Sequence, residues 1–141
     1  MNYVLDACVA VKWVITEALS HKAQGLRAEF RNGVHRLAAP DVFPIEVAHA
    51  LSKAERQGRI TPPQGATLWM DVMATPPRLF PSLPLVPRAF AIATQHRIGI
   101  YDCLYIALAE QEQCELVTSD DKLVNNLKPR FPFIVPLSSR P

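Results

Sequence analysis

Of the chain's 13 acidic residues, four stand where an ionised carboxylate is hard to accommodate. Asp6 interrupts the apolar run Tyr3-Val4-Leu5-Asp6-Ala7-Cys8-Val9-Ala10-Val11, and Glu46 lies between Pro44-Ile45 and Val47-Ala48. Asp102 precedes Cys103-Leu104-Tyr105-Ile106-Ala107-Leu108-Ala109, and Asp120 follows Leu116-Val117-Thr118-Ser119. A carboxylate beside a core must be paired, coordinated or neutralised, and these segments carry no obvious buried Arg or Lys. Together the four make an all-oxygen donor set, which suits Mg²⁺ or Mn²⁺ far better than zinc. Taken singly, the three aspartates at segment junctions have a blander reading as helix N-caps. For Asp6 the two readings are evenly matched on its own stretch. Glu46, with apolar flanks in the first turns of a helix, offers neither cap nor turn and would project toward something positive.

Such a set suits phosphodiester chemistry. The phosphodiester anion repels an attacking hydroxide, so a cation is needed to neutralise phosphate charge and to lower the pKa of a bound water. Without a cation, clustered carboxylates repel one another, and at least one should have a raised pKa. The residues give no sign of covalent catalysis, because His21, His35, His49 and His96 have no sequence link to Cys8, Cys103 or a serine of these stretches. Lys12, Arg97 and Lys122 are the basic residues nearest the acids. Cys8, Cys103 and Cys114 are odd in number and lack a CxxC pair, which argues against a disulfide framework and a zinc site. Cys8 and Cys103 are expected to be reduced and buried beside the acids.

The elements that must hold these acids alternate between strand and helix. The run ending at Leu5 suits a strand buried on both faces, with Asp6 at its carboxyl end, where ligands of open α/β sheets bind. A short helix is expected over Val9 to Ile15, and a second from a Ser20 cap to Asn32 and Gly33. His35 to Ala39 is a weak strand candidate. Asp41 is expected to cap a long helix with Pro44 in its first turn and Gly58 as its stop. Thr61 and Pro62 open a further helix, and the two helices should form a hairpin. Pro76 to Pro87 holds five of the 13 prolines, leaving room for one short edge strand at Arg78 to Leu83. Helices from Pro87 to Gly99 and from Ile100 to Glu110 follow, the second apolar nearly all round. Strands at Glu115 to Thr118 and Phe133 to Val135 flank a short helix over Lys122 to Leu127, which Asp121 is expected to cap. The alternation predicts an α/β fold with a mostly parallel sheet and helices on both faces.

Composition sets outer limits. A chain of 141 residues is expected to form one domain over 1–141 with an adequate core. No apolar run reaches membrane-spanning length and no charged leader precedes the first strand, so the expected location is the cytoplasm. A net charge of +2 is too weak to imply nucleic acid by itself, so an anionic ligand would depend on local placement of charge.

Four stretches in this order resemble the motifs of PIN-domain ribonucleases, in particular VapC-type toxins of bacterial toxin-antitoxin pairs. They are Leu5 to Trp13, Ala39-Pro40-Asp41 leading to Glu46-Val47 and Leu51, Tyr101 to Ala109, and Leu116 to Asp120. The resemblance covers nearly the whole chain. It implies a three-layer α/β/α sandwich whose acids bind Mg²⁺ or Mn²⁺ and cut RNA, inhibition by a cognate antitoxin, and commonly a homodimer. By position, Asp6, Glu46 and Asp102 match the three most characteristic acids of the family and Asp120 the fourth. Cys8 departs from the pattern, since the family usually has serine, threonine or asparagine there, and a thiol is a poorer donor than a hydroxyl. His49 stands where an amide residue is often seen.

Other classes fit less well. A phosphatase-like site wants a second aspartate two residues after the first, where Cys8 stands. A receiver domain wants an acidic pair ahead of its phosphorylated aspartate, and the segment before Asp6 has none. A non-catalytic, metal-stabilised nucleic-acid-binding or interaction module would use the acids only to tie down loops, which Glu46 does not suit.

Overall fold

The computed structural model describes residues 2–141. Five strands form one sheet: β1 (Asn2–Leu5), β2 (Arg36–Pro40), β3 (Arg78–Phe80), β4 (Glu115–Thr118) and β5 (Ile134–Pro136). Their order is β3-β2-β1-β4-β5, and every pairing is parallel. β1 is central, with Tyr3 opposite Leu37 of β2 and Glu115 of β4. Val4 and Leu5 are fully buried, as an apolar strand covered on both faces requires. Helices complete the three-layer α/β/α sandwich. They are α1 (Ala7–Val11), α2 (Ser20–Arg31), α3 (Phe43–Arg56), α4 (Gln64–Met73), α5 (Val86–His96), α6 (Ile100–Glu112) and α7 (Asp121–Leu127).

The strand order places the site. The chain moves outward from β1 through β2 to β3, then returns to the other side of β1 for β4 and β5. Parallel sheets bind ligands where this order reverses, outside the carboxyl ends of the two strands at the switch. Here those strands are β1 and β4, followed directly by Asp6 and by Ser119-Asp120. The largely apolar helix α6 packs on α5 and against β1, β2 and β4, which explains why Cys103 to Ala109 are all buried. α3 packs on α4 and α1, the pairing expected of the helical hairpin.

Several local expectations are corrected. The first helix begins at Ala7, earlier than Val9, and after Val11 the chain continues in tight turns joining Lys12, Trp13 and Val14 to carbonyls three residues back. Asp41 does not cap α3, whose first residue follows Val42; its Oδ1 accepts bonds from the Ser82 N–H and hydroxyl, tying the exit of β2 to the chain beyond β3. Ser20 is the first residue of α2, and its hydroxyl turns back to donate to the Ile15 carbonyl. Gly99 precedes α6, while α5 ends at Arg97 in the left-handed region, φ 56°. Gly58 does stop α3: at φ 73° it lets Arg59 N–H reach the Ala54 carbonyl at 2.9 Å, a closure that a side chain would strain.

Candidate active site

Asp6 is the first residue after β1, and its N–H extends the ladder by donating to the Val117 carbonyl at 3.1 Å. It occupies the N-cap position of α1, yet its side chain makes no capping hydrogen bond there. Instead Oδ2 accepts from the Thr118 hydroxyl at 2.8 Å. Of the two readings of Asp6, the carboxylate therefore follows the crevice one. Thr118 is fully buried at the end of β4, and its oxygen also accepts from the Asp120 N–H at 3.1 Å. Cys8 Sγ lies 3.6 Å from the same oxygen and accepts from the Ser119 N–H at 3.5 Å. Thr118, the Cys8 thiol and the Ser119 N–H thus form one network of contacts around Asp6, in which Thr118 gives its one proton to Asp6 and the thiol lies within reach of both Thr118 and Asp6.

The other acids arrive from three helices. Glu46 sits in the first turn of α3 and Asp102 in the first turn of α6. Asp120 is the N-cap of α7, with Oδ1 accepting from the Leu123 N–H at 3.1 Å. The capping reading therefore holds for one oxygen of Asp120, and it displaces the expectation for Asp121, an exposed residue of the helix's first turn.

Electrostatics join the four into one group. Glu46 is pushed up to about 7, mainly by burial and further by the negative charges of Asp6 and Asp102, against an opposing interaction with the Tyr105 hydroxyl. Asp102 is pushed up to about 6, again mainly by burial, with Asp6 and Asp120 adding repulsion. Burial also raises Asp6, against the opposing bonds from Thr118 and Cys8, and Asp120 repels it further. Glu46 and Asp102 thus each feel two other acids of the group, and Asp6 feels Asp120, as acids gathered near one cleft would.

Cation binding fits this arrangement in one respect. Glu46 Oε1 is buried without a well-formed hydrogen bond, and so is the Tyr105 hydroxyl; the two groups are close enough for the hydroxyl to favour the Glu46 charge, but their geometry completes no bond to Oε1. An orphaned carboxylate oxygen in a negatively charged cleft is the kind of group a hard cation satisfies. Among the described residues, no group of three or more His, Cys, Asp or Glu side chains is placed to hold a metal ion by itself.

Sequence reasoning passed over Thr118 and Tyr105. Thr118 lay in plain view two residues before Asp120, at an inward-facing strand end. Tyr105 lies one turn after Asp102, on the buried face. Cys103 is buried and free as expected, with its thiol pushed up to about 11, chiefly by burial. Cys8 is free but only partly buried, and burial with the Asp6 charge holds its thiol up at about 12. His49 is exposed and shares a cleft of about 410 Å³ with Val42, Ile45, Glu46 and Tyr101. Lys12 borders the site on the other side, whereas Arg97 and Lys122 are exposed and form no salt bridge among the described residues.

The sequence profile of the PIN domain matches residues 3–126. The chain belongs to the PIN domain family. Within it the chain is of the VapC type: it is 32% identical to Ribonuclease VapC12 of Mycobacterium tuberculosis over 124 residues, 87% of this chain and 90% of that one. Two solved structures share the fold. PAE2754 from Pyrobaculum aerophilum superposes with a TM-score of 0.71 at 21% identity, covering 99% of this chain and 94% of that one. VapBC2 from Rickettsia felis, bound to a DNA fragment from its promoter, superposes with a TM-score of 0.62 at 19% identity, covering 96% and 97%. The acids discussed above all lie within the matched span of the PIN profile.

Proposed function

We propose that this PIN-domain protein is a Mg²⁺- or Mn²⁺-dependent endoribonuclease, the toxin of a toxin-antitoxin pair, built as one domain over residues 1–141. The observation that carries the proposal is the group Asp6, Glu46, Asp102 and Asp120, none of them in a salt bridge among the described residues, at the switch point of a parallel sheet. The names of its VapC ribonuclease relatives support RNA as the substrate, and the VapBC2 assembly supports a cognate antitoxin as partner. No described helix is long and apolar enough to cross a membrane.

Asp6, Glu46, Asp102 and Asp120 are the residues that would hold the ion, one or two directly and the others through its waters. When bound, it supplies charge neutralisation at the phosphate and an acidified water. Thr118 keeps Asp6 Oδ2 oriented by donating to it, and the Cys8 thiol packs against both. Asp120 keeps one carboxylate oxygen free while the other holds the start of α7. Glu46, with a pKa near 7, carries a proton in part of the molecules at neutral pH and must release it to become a full ligand.

Incubating the purified protein with total cellular RNA tests the proposal. Cleavage should need Mg²⁺ or Mn²⁺ and stop in excess EDTA, and mapping the new ends would identify the bond cut. Full cleavage in excess EDTA would overturn the metal-dependent reading.

A further inference from the structure

A second feature borders the acids on the α1 side. Cys8, Lys12, Glu17, Lys53, Arg59 and Ser119 line a groove of about 370 Å³. Two of its walls, Cys8 and Ser119, belong to the contact network around Asp6, and Ser119 directly precedes Asp120, so the groove lies beside the acids. It gathers three cations and one anion, a local charge of +2 in a chain whose total is +2. Glu17 lies between two of the cations, with Oε1 3.7 Å from Lys12 Nζ and Oε2 paired to Arg59. Lys53 is exposed and forms no salt bridge among the described residues. It lies seven residues after Glu46 on α3, two turns along the same stripe and about 10 Å further along the axis.

We propose that this groove binds the phosphate backbone of single-stranded RNA beside the bond to be cut, with Lys53 as its free cationic contact and the Glu17 carboxylate in the place a phosphate takes between Lys12 and Arg59. The proposal rests on the ribonuclease reading, because the acid cleft fixes where the strand starts. Basic grooves that track a backbone bind single strands through counterion release, without reading sequence. Glu17 holds Lys12 and Arg59 in position, yet it competes with phosphate. Removing its charge should therefore strengthen RNA binding, which no purely structural role of the ion pairs predicts.

The test is the fluorescence anisotropy of a labelled oligouridylate titrated with the full chain in EDTA over a series of salt concentrations. Lys53→Gln should weaken binding roughly 3- to 10-fold and flatten the log–log salt slope by about 0.7, the loss of one phosphate contact. Lys53→Arg should keep both near wild type, and Glu17→Gln should tighten binding by a similar factor. Lys53 lies on an exposed helix face, so its variants test the groove even if Glu17→Gln melts early by circular dichroism. If wild type cleaves RNA with Mn²⁺ while the Lys53 variants bind with unchanged affinity and slope, the groove proposal falls and the ribonuclease reading stands. If wild type neither binds nor cleaves RNA, both fall. Equal competition by polyglutamate would overturn the assignment to RNA.

Discussion

Glu46 shows how one residue can report a site before any ligand is present. Its flanks are apolar, its buried Oε1 has no partner, and its pKa stands near 7 against an ordinary 4.5. Between those two values the folded protein keeps a proton that the unfolded chain has already released. Stability that is present below pH 4.5 is therefore lost as pH rises toward about 7. Replacing Glu46 by Gln removes that loss. In metal-free buffer at pH 7.5, Glu46→Gln should be more stable than wild type by on the order of 1 kcal/mol, after discounting for the partial exposure of the carboxylate. At pH 4 the two should converge. Denaturant unfolding at both values checks this, and an equal difference at pH 4 and pH 7.5 would contradict it. The apolar flanks made Glu46 legible in the sequence. The partner-free state of Oε1 was not, because it depends on Tyr105 from a helix 59 positions away.

At the scale of elements, Thr118 joins the carboxyl ends of β1 and β4 to the start of α7, giving a proton to Asp6 and accepting one from the Asp120 N–H. Thr118→Val keeps the shape and strands both partners. It should cost about 1–3 kcal/mol of stability and roughly 10- to 100-fold in Mn²⁺ affinity, while Thr118→Ser restores most of each. Unfolding curves with Mn²⁺ titration would decide, and a valine variant with wild-type affinity would refute the positioning role. The bond joins positions 112 residues apart, so only the motif's presence, and not this role, could be read beforehand. Other elements show the same division. Gly58 announced its helix stop locally, through a backbone conformation that glycine tolerates. Asp41 looked like a cap, but Ser82, 41 residues on, competes for its carboxylate. The weak strand candidate over His35 to Ala39 forms beside the central strand as Arg36–Pro40, because pairing with β1 and β3 decides it more than its own propensity does.

For the whole molecule, alternation of strand and helix sufficed to predict a parallel sheet, since parallel strands need crossovers. The order β3-β2-β1-β4-β5 was beyond it, because order depends on where each crossover helix packs. Self-association belongs to this scale too. Met70 on α4 is 68% exposed, and α3 and α4 flank an apolar groove of about 430 Å³ that includes Leu51, Trp69 and Met70. We propose a homodimer, as the family resemblance implies, and light scattering at high protein concentration should give twice the monomer mass. A monomer there would contradict it.

The central claim is that four carboxylates from four separate segments act as one cation site for RNA cleavage. The most direct measurement is the initial rate of RNA cleavage against Mn²⁺ concentration for wild type and Asp102→Asn. Wild type should show a saturable rise from zero in EDTA. Asp102→Asn should be folded, need more Mn²⁺ for half its maximal rate, and remain slower by roughly 100-fold or more, since it removes a ligand itself. A folded Asp102→Asn that cleaves at the wild-type rate across the titration would contradict the account.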